Sequence, residues 1–300
     1  MSSAALLLAF DDEALLAGEL AAALELPLAM ITRHRFPDGE LRLVLPKPLP
    51  ARVILLRGLQ QPNEKLVELL IAAPAARELG AQALALVSPY LAYMRQDMEF
   101  TPGEAVSQRH IARLLAAQFD HVLTIDPHLH RIASLDEVMP PGTGLALSAA
   151  PLLGRWIAER VPGALLLGPD EESGQWVSEA ALAGGLDHAV GSKVRHGDHA
   201  VSLALPQVEV QGRAVVLLDD MASTGRTLIG AAQGLLARGA ASVDVAVTHA
   251  LFNGDALPAL RAAGVRHVWS SNSVPHASNA VSVVPLLVAA LRPLLVQALP

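Results

Sequence analysis

Residues 214–228 read AVVLLDDMASTGRTL. A short apolar run enters two adjacent acids, then small and hydroxyl residues, a glycine, an arginine and a helix-like continuation. An apolar run this short, bounded by turn residues, is the pattern of a buried strand. In open parallel sheets, ligands bind beyond the carboxyl ends of the strands, which is where Asp219 and Asp220 stand. The segment Ala222–Thr227 is small enough for backbone N–H groups to close on an anion, with the N-terminus of the next helix aimed at it. Two carboxylates just upstream accept hydrogen bonds from vicinal hydroxyls or hold a hydrated cation. Loop and acids together therefore fit a phosphorylated sugar.

The same rhythm extends in both directions. Strand-like runs at 52–56, 83–88, 121–126, 164–168, 214–219, 243–248 and 266–270 alternate with alanine-rich segments of helical length at 64–79, 103–119, 149–160, 173–183 and 226–238. That alternation predicts strand–helix–strand units around mainly parallel sheets. The turn-rich MPPGTG at 139–144 separates two halves of similar rhythm. We expect an α/β protein of two tandem doubly wound domains, residues 1–143 and 144–300, with the last helix packing back on the first domain. The carboxyl-end rule then selects Ser88-Pro89-Tyr90, Asp126-Pro127-His128, Gly168-Pro169-Asp170 and Asp219-Asp220 as one set.

Composition narrows the function. The 300 residues carry a formal charge of −7 and no basic block, which argues against a nucleic-acid partner. The chain has no cysteine, so disulfide frameworks and thiolate chemistry are excluded. The first apolar run has no basic residue before it and meets Asp11, Asp12 and Glu13, a poor fit to a signal peptide. The final stretch, VSVVPLLVAALRPLLVQALP, is interrupted by Pro285, Arg292 and Pro293 and reads as a strand followed by a packed helix rather than a membrane span. A cytoplasmic location is expected.

LLDDMASTGRTL resembles the phosphoribosyl pyrophosphate (PRPP) loop shared by type I phosphoribosyltransferases and ribose-phosphate pyrophosphokinases. The loop alone does not choose between them, because both bind a 5-phosphorylated ribose. In the first half, RFPDGELRL (35–43) and SPYLAYMRQD (88–97) are similar to the ATP-site segments of the pyrophosphokinases, which the transferases lack. The resemblance implies that Phe36, Asp38 and Glu40 serve the adenine end across a subunit boundary, and that Arg95, Gln96 and Asp97 serve the nucleotide. TIDPHLHRI (124–132) resembles the segment whose histidine lies by the metal and the ATP phosphates, here His128; His130 receives no role. Asp170 in GPDEES matches the second metal contact. SKVRHGD (192–198) matches a flexible catalytic loop, making Lys193 and Arg195 the catalytic cations. Only three lysines occur against 19 arginines, so a lysine there is not casual surface charge. Asp219 and Asp220 would face the ribose hydroxyls, with Ser223, Thr224, Gly225, Arg226 and Thr227 around the 5-phosphate. The similarity runs through about residues 33–287 in family order, nearest the archaeal, weakly regulated branch.

The implied reaction joins the β,γ-diphosphoryl group of ATP to the 1-hydroxyl of ribose 5-phosphate with Mg2+, or Mn2+ in its place, in a homodimer or larger homo-oligomer. A transferase joining PRPP to a base, and a non-catalytic associated protein, are the alternatives. Three departures stand out. Glu171 and Glu172 add carboxylates to a pyrophosphate loop where they would repel a diphosphate unless turned away or metal-bound. Ser223 stands where many bacterial members have aspartate. MEFTPGEAVS replaces a basic stretch after RQD, so phosphate activation and ADP inhibition are expected to be weak or absent.

Overall fold

The computed structural model describes residues 5–196 and 200–297, with the side chains of 193–204 outside that description. The chain divides into two compact units, one running to Leu147 and resuming at Val284, the other spanning Ser148–Val283.

The first unit runs β1 (Ala5–Ala9), α1 (Ala14–Leu24), β2 (Leu28–Met30), β3 (Thr32–Arg35), β4 (Leu41–Val44), β5 (Arg52–Leu56), α2 (Pro62–Glu78), β6 (Ala83–Val87), α3 (Ser107–Ala116), β7 (His121–Ile125) and β8 (Gly144–Leu147). The second runs α4 (Ala150–Arg160), β9 (Leu165–Gly168), α5 (Gly174–Gly184), β10 (Asp187–Val190), β11 (Ser192–His196), β12 (Ala200–Ala204), β13 (Ala214–Ala222), α6 (Arg226–Ala237), β14 (Ser242–Ala250), α7 (Ala256–Ala262), β15 (Val265–Ser271) and β16 (Asn279–Val281). Helix α8 (Val284–Val296) returns to the first unit and packs on α1 with Leu287 and Leu291 buried. Among the described residues no helix is long and apolar enough to cross a membrane.

Each unit is built on a six-stranded sheet, β2-β1-β5-β6-β7-β8 in one and β10-β9-β13-β14-β15-β16 in the other, with every pairing parallel. Each also inserts an antiparallel hairpin after its second strand, β3–β4 and β11–β12. The two halves are thus topological copies. In each, the strand order reverses beside the first strand, so a ligand crevice belongs at the carboxyl ends of β1 and β5, and of β9 and β13.

Parallel strands buried on both faces explain the apolar runs. In β13, Val215 and Leu217 pack with Leu228, Ala231, Leu235 and Leu260 of α6 and α7. Val216 and Leu218 pack with Leu153, Ile157, Trp176 and Val177 of α4 and α5. Each such side chain taken fully from water contributes roughly 1.5–3 kcal/mol before conformational entropy is offset.

The first unit's crevice is filled by charge. Arg57, just past β5, is 1% exposed. Its Nη1 donates to Asp12 Oδ1 at 2.6 Å, its Nη2 pairs with Glu68 Oε2 at 2.5 Å, and its guanidinium lies 4.6 Å from the Phe10 ring centre. Glu13 Oε1 accepts the Gly58 N–H at 3.0 Å, while Lys65 Nζ donates to the Gly58 carbonyl at 2.8 Å. Burial pushes Glu13 up and Lys65 down, so desolvation outweighs the mutual attraction that each gains from its partners. Removing one member would leave an uncompensated buried charge, at a cost of about 3–5 kcal/mol.

Beyond the elements that were not foreseen, such as β1 and α1, two of the expected segments take a different form. The helix expected at 103–119 begins at Ser107, because Glu104 first closes a separate turn by accepting the Phe100 N–H at 3.0 Å and the Gln96 Nε2 at 3.0 Å. The segment read as a flexible loop at 192–198 enters the hairpin β11–β12, with Lys193 paired to Leu203 and Arg195 to Val201.

Candidate active site

In the second unit, a glycine makes the first close approach. A Cβ at Gly168, the last residue of β9, would lie 2.3 Å from Ser173 Oγ, so only glycine lets the following turn fold over the strand end. That turn is a 3₁₀ segment, Glu171–Ser173, capped by Asp170: its carboxylate accepts the Glu172 N–H at 3.1 Å, and Ser173 Oγ donates to the Asp170 carbonyl at 2.6 Å. Asp170 is buried, whereas Glu171 and Glu172 are exposed. The acids that departed from the family pattern therefore sit on the outside of the turn, at a helix start that favours negative charge. Changing both to glutamine is expected to leave the Michaelis constants for sugar phosphate and nucleotide within about twofold. A large fall in either, measured by steady-state kinetics, would mean that these acids face the ligand.

Strand β13 runs on through Asp219 and Asp220 to Ala222, carrying the acid pair within the sheet rather than beyond it. Asp219 Oδ1 accepts the Asp220 N–H at 3.0 Å. Burial, with Asp220 and Asp170 close by, pushes the Asp219 carboxyl well above the usual range. The turn then passes Ser223 and Thr224 to Gly225, which adopts a φ of +69° as the N-cap of α6 and packs against Leu260. No side-chain cap closes the start of α6, where a helix offers its first-turn N–H groups to an anion. Arg226 and Thr227, exposed in that first turn, complete the loop. Ser223 is held from the neighbouring loop: Asn253 Nδ2 donates to its Oγ at 3.1 Å and the Asn253 N–H to its carbonyl at 3.2 Å.

The first unit carries the other candidates on its own strand ends. Gln61, Tyr93 and Asp126, which follow β5, β6 and β7, have φ of 55°, 65° and 36° without being glycine. Such positions cost roughly 1–3 kcal/mol each and persist where the surroundings impose them, commonly at functional sites. Past Asp126, His128 and His130 pack ring to ring with centroids 3.6 Å apart, and His130 Nε2 lies 3.1 Å from His128 Nδ1. Asp97 is buried, and both its oxygens accept from Arg131 Nη1, at 2.7 and 2.8 Å. That carboxylate therefore ties the RQD segment to the His128 loop. Arg95 is exposed, and Gln96 is engaged by Glu104.

The remaining predicted residues lie on or beside the two hairpins. Phe36, Asp38 and Glu40 form the tip of β3–β4, where the Phe36 N–H donates to the Glu40 carbonyl at 2.8 Å and Asp38 Oδ1 accepts the Glu40 N–H at 3.2 Å. Lys193 and Arg195 lie on β11, and their side chains fall outside the described residues. Sequence reasoning missed Arg131, Asn253 and the packing role of His130. Each acts on a neighbour in space, and only the short spacing from His128 offered a signal for two of them.

Two all-parallel sheets with inserted hairpins, and an acid pair feeding an uncapped helix through a small-residue turn, define a tandem type I phosphoribosyltransferase-like protein. Residues 5–118 match the N-terminal domain of ribose phosphate pyrophosphokinase, and residues 204–298 match the phosphoribosyl synthetase-associated domain. The ribose-phosphate pyrophosphokinase of Methanopyrus kandleri is 36% identical over 93% of this chain and 96% of that one. That of Methanosarcina acetivorans is 34% identical over 93% and 96%. The crystal structure of phosphoribosylpyrophosphate synthetase from Mycobacterium smegmatis superposes with a TM-score of 0.84 at 25% identity, covering 97% of this chain and 98% of that one. The chain belongs to the ribose-phosphate pyrophosphokinase family.

Proposed function

We propose that the protein transfers the β,γ-diphosphoryl group of ATP to the 1-hydroxyl of ribose 5-phosphate, giving PRPP and AMP. The observation that carries this reading is the acid pair at the end of β13, Asp220 buried and Asp219 half-buried, leading through a small-residue turn to the uncapped N-terminus of α6, in a chain that keeps the RQD and DPH segments. The first-turn N–H groups of α6, with Ser223, Thr224, Gly225, Arg226 and Thr227, take the 5-phosphate. Asp219 and Asp220 accept hydrogen bonds from the ribose hydroxyls and fix the sugar, so that its 1-oxygen faces the β-phosphorus. Phe36, Asp38, Glu40, Arg95 and Gln96 hold the nucleotide, with Asp97 keeping the RQD segment on the His128 loop.

In the transfer, the 1-oxygen forms a bond to the β-phosphorus, the bond from that phosphorus to the α,β-bridging oxygen breaks, and the hydroxyl proton is lost to solvent or a neighbouring base. Negative charge spreads over the phosphoryl oxygens and onto the departing AMP. Lys193 and Arg195 meet that charge from β11. Among the described residues no three His, Asp or Glu side chains form a ready-made metal cluster. The crowded carboxyls around Asp219 nonetheless suit a hard cation that brings its own water and phosphate ligands, as Mg2+ does. Asp170 and His128, each within its own unit, are our candidate contacts for Mg2+, or Mn2+ in its place. When bound, the ion would screen the phosphate charge.

An adenine pocket shared across a subunit boundary makes the working form at least a homodimer. Incubation of the purified protein with ATP, Mg2+ and a panel of pentose phosphates, followed by mass spectrometry, is expected to yield AMP with ribose 5-phosphate. No AMP with any sugar would overturn the reading in favour of a non-catalytic protein. Consumption of PRPP with a base would favour a transferase.

A further inference from the structure

Hairpin β3–β4 is two strands of four residues each, too small to hold its shape by itself in water. Its stem is tied down on one side. Arg33 Nη1 donates to Glu68 Oε1 at 2.7 Å and its Nη2 to Asp11 Oδ1 at 2.6 Å, while Arg35 Nη2 donates to Glu64 Oε2. The two arginines are two residues apart on a strand, a step of about 7 Å. The two glutamates are four apart on α2, a step of about 6 Å along one face. Strand and helix thus match in spacing and run in opposite directions, giving a two-rung ladder of ion pairs. Glu68 is fully buried, and its other oxygen pairs with Arg57 at 2.5 Å, which anchors the inner rung in the charge-filled crevice. His34 and Phe36 alternate to the opposite side of the stem, where their rings pack edge to face at 4.8 Å. Between the hairpin and α2 lies a cleft of about 430 Å³ walled by Arg35, Glu40, Leu41, Glu64, Val67 and Ile71.

We infer that the Arg33–Glu68 and Arg35–Glu64 ladder is a positioning device that sets the angle of the Phe36–Glu40 tip on the first unit and so governs nucleotide affinity. This rests on the reading that the tip meets the adenine end of ATP. The ladder residues do not touch the nucleotide; they hold the stem so that one face is spent on α2 and the other stays open to a ligand. Arg33 and Arg35 therefore act through Phe36, Asp38 and Glu40.

The outer rung provides the test, since Arg35 and Glu64 are both surface residues whose exchange leaves the core intact. Arg35→Glu is expected to raise KM for ATP by about fivefold or more, with kcat within about twofold and KM for ribose 5-phosphate unchanged. It should also speed hydrogen exchange of the amides at 32–44. Arg35→Glu combined with Glu64→Arg should recover both. Unchanged exchange and KM in the single variant, or no recovery in the double, would overturn the ladder. Phe36→Ala separates the two readings. If it raises KM for ATP while Arg35→Glu speeds exchange without changing KM, the positioning role falls and the adenine assignment stands. If Phe36→Ala leaves KM for ATP alone, the adenine assignment falls, and the exchange data still decide whether the ladder holds the stem.

Discussion

Replacing Asp219 with asparagine is expected to cut turnover at least 10²-fold and, at the same time, to raise the melting temperature of the ligand-free protein. The loss follows from removing a charged acceptor from the sugar at the reacting end of the molecule; a hundredfold corresponds to about 2.7 kcal/mol of transition-state stabilisation. The stability gain follows from the raised Asp219 carboxyl, which burial, Asp220 and Asp170 all disfavour in its ionised form. A carboxyl raised on folding contributes its stability in full below its unfolded value and loses it as pH rises through the folded value. Wherever the unfolded chain is ionised, holding this carboxyl in the crowded site therefore weighs against the empty fold. The melting temperature of the asparagine variant should exceed that of the native chain by a margin that widens as pH rises from the unfolded carboxyl value towards the raised folded one and then levels off. Mg2+ should stabilise the native protein more than the variant, because a bound cation relieves the crowding only where the charge exists. Calorimetry across a pH series, with and without Mg2+, reads all three. A variant that melts lower at every pH would sink the account of a site held under electrostatic strain, and retained turnover would remove Asp219 from the sugar.

Lys193→Ala is expected to lower turnover by about 10²–10³ with only a modest change in KM for ATP. A cation that meets charge only as it develops contributes to the transition state and little to ground-state binding, so the loss should fall on kcat. Lys193→Arg, which keeps charge but changes its shape, should recover part of the rate. Single-turnover measurements at saturating ATP distinguish a slowed transfer step from slowed product release. Native turnover in Lys193→Ala would remove the residue from the reaction.

Interior strands such as β5 and β13 were legible in the sequence because parallel strands covered on two faces must be apolar throughout, as RVILL at 52–56 and AVVLL at 214–218 are; β1, equally apolar, was weighed only as a leader. The acid pair and its small-residue turn were equally plain, since strand end, turn and helix start are consecutive in the chain. The edge elements were not. Strands β2, β3, β4 and β10 are three or four residues long and have no buried residue, too short and too shallow for a period to stand out. The charge network was invisible for a different reason: Asp12, Arg57 and Glu68 look like ordinary surface residues until topology brings the ends of β1, β5 and α2 together. Arg131 closing on Asp97, and Asn253 on Ser223, are likewise matches between loops that sequence order keeps 34 and 30 residues apart.

Two halves with one wiring diagram could have offered two seats for a sugar phosphate. In the first, Glu13 reaches in from the turn after β1 and takes the Gly58 N–H, while Arg57 and Lys65 spend their charge on the chain's own acids. That half arrives with its anion already supplied. Duplication here yields a division of labour instead of doubled capacity, and equilibrium titration should count a single pentose phosphate for each polypeptide.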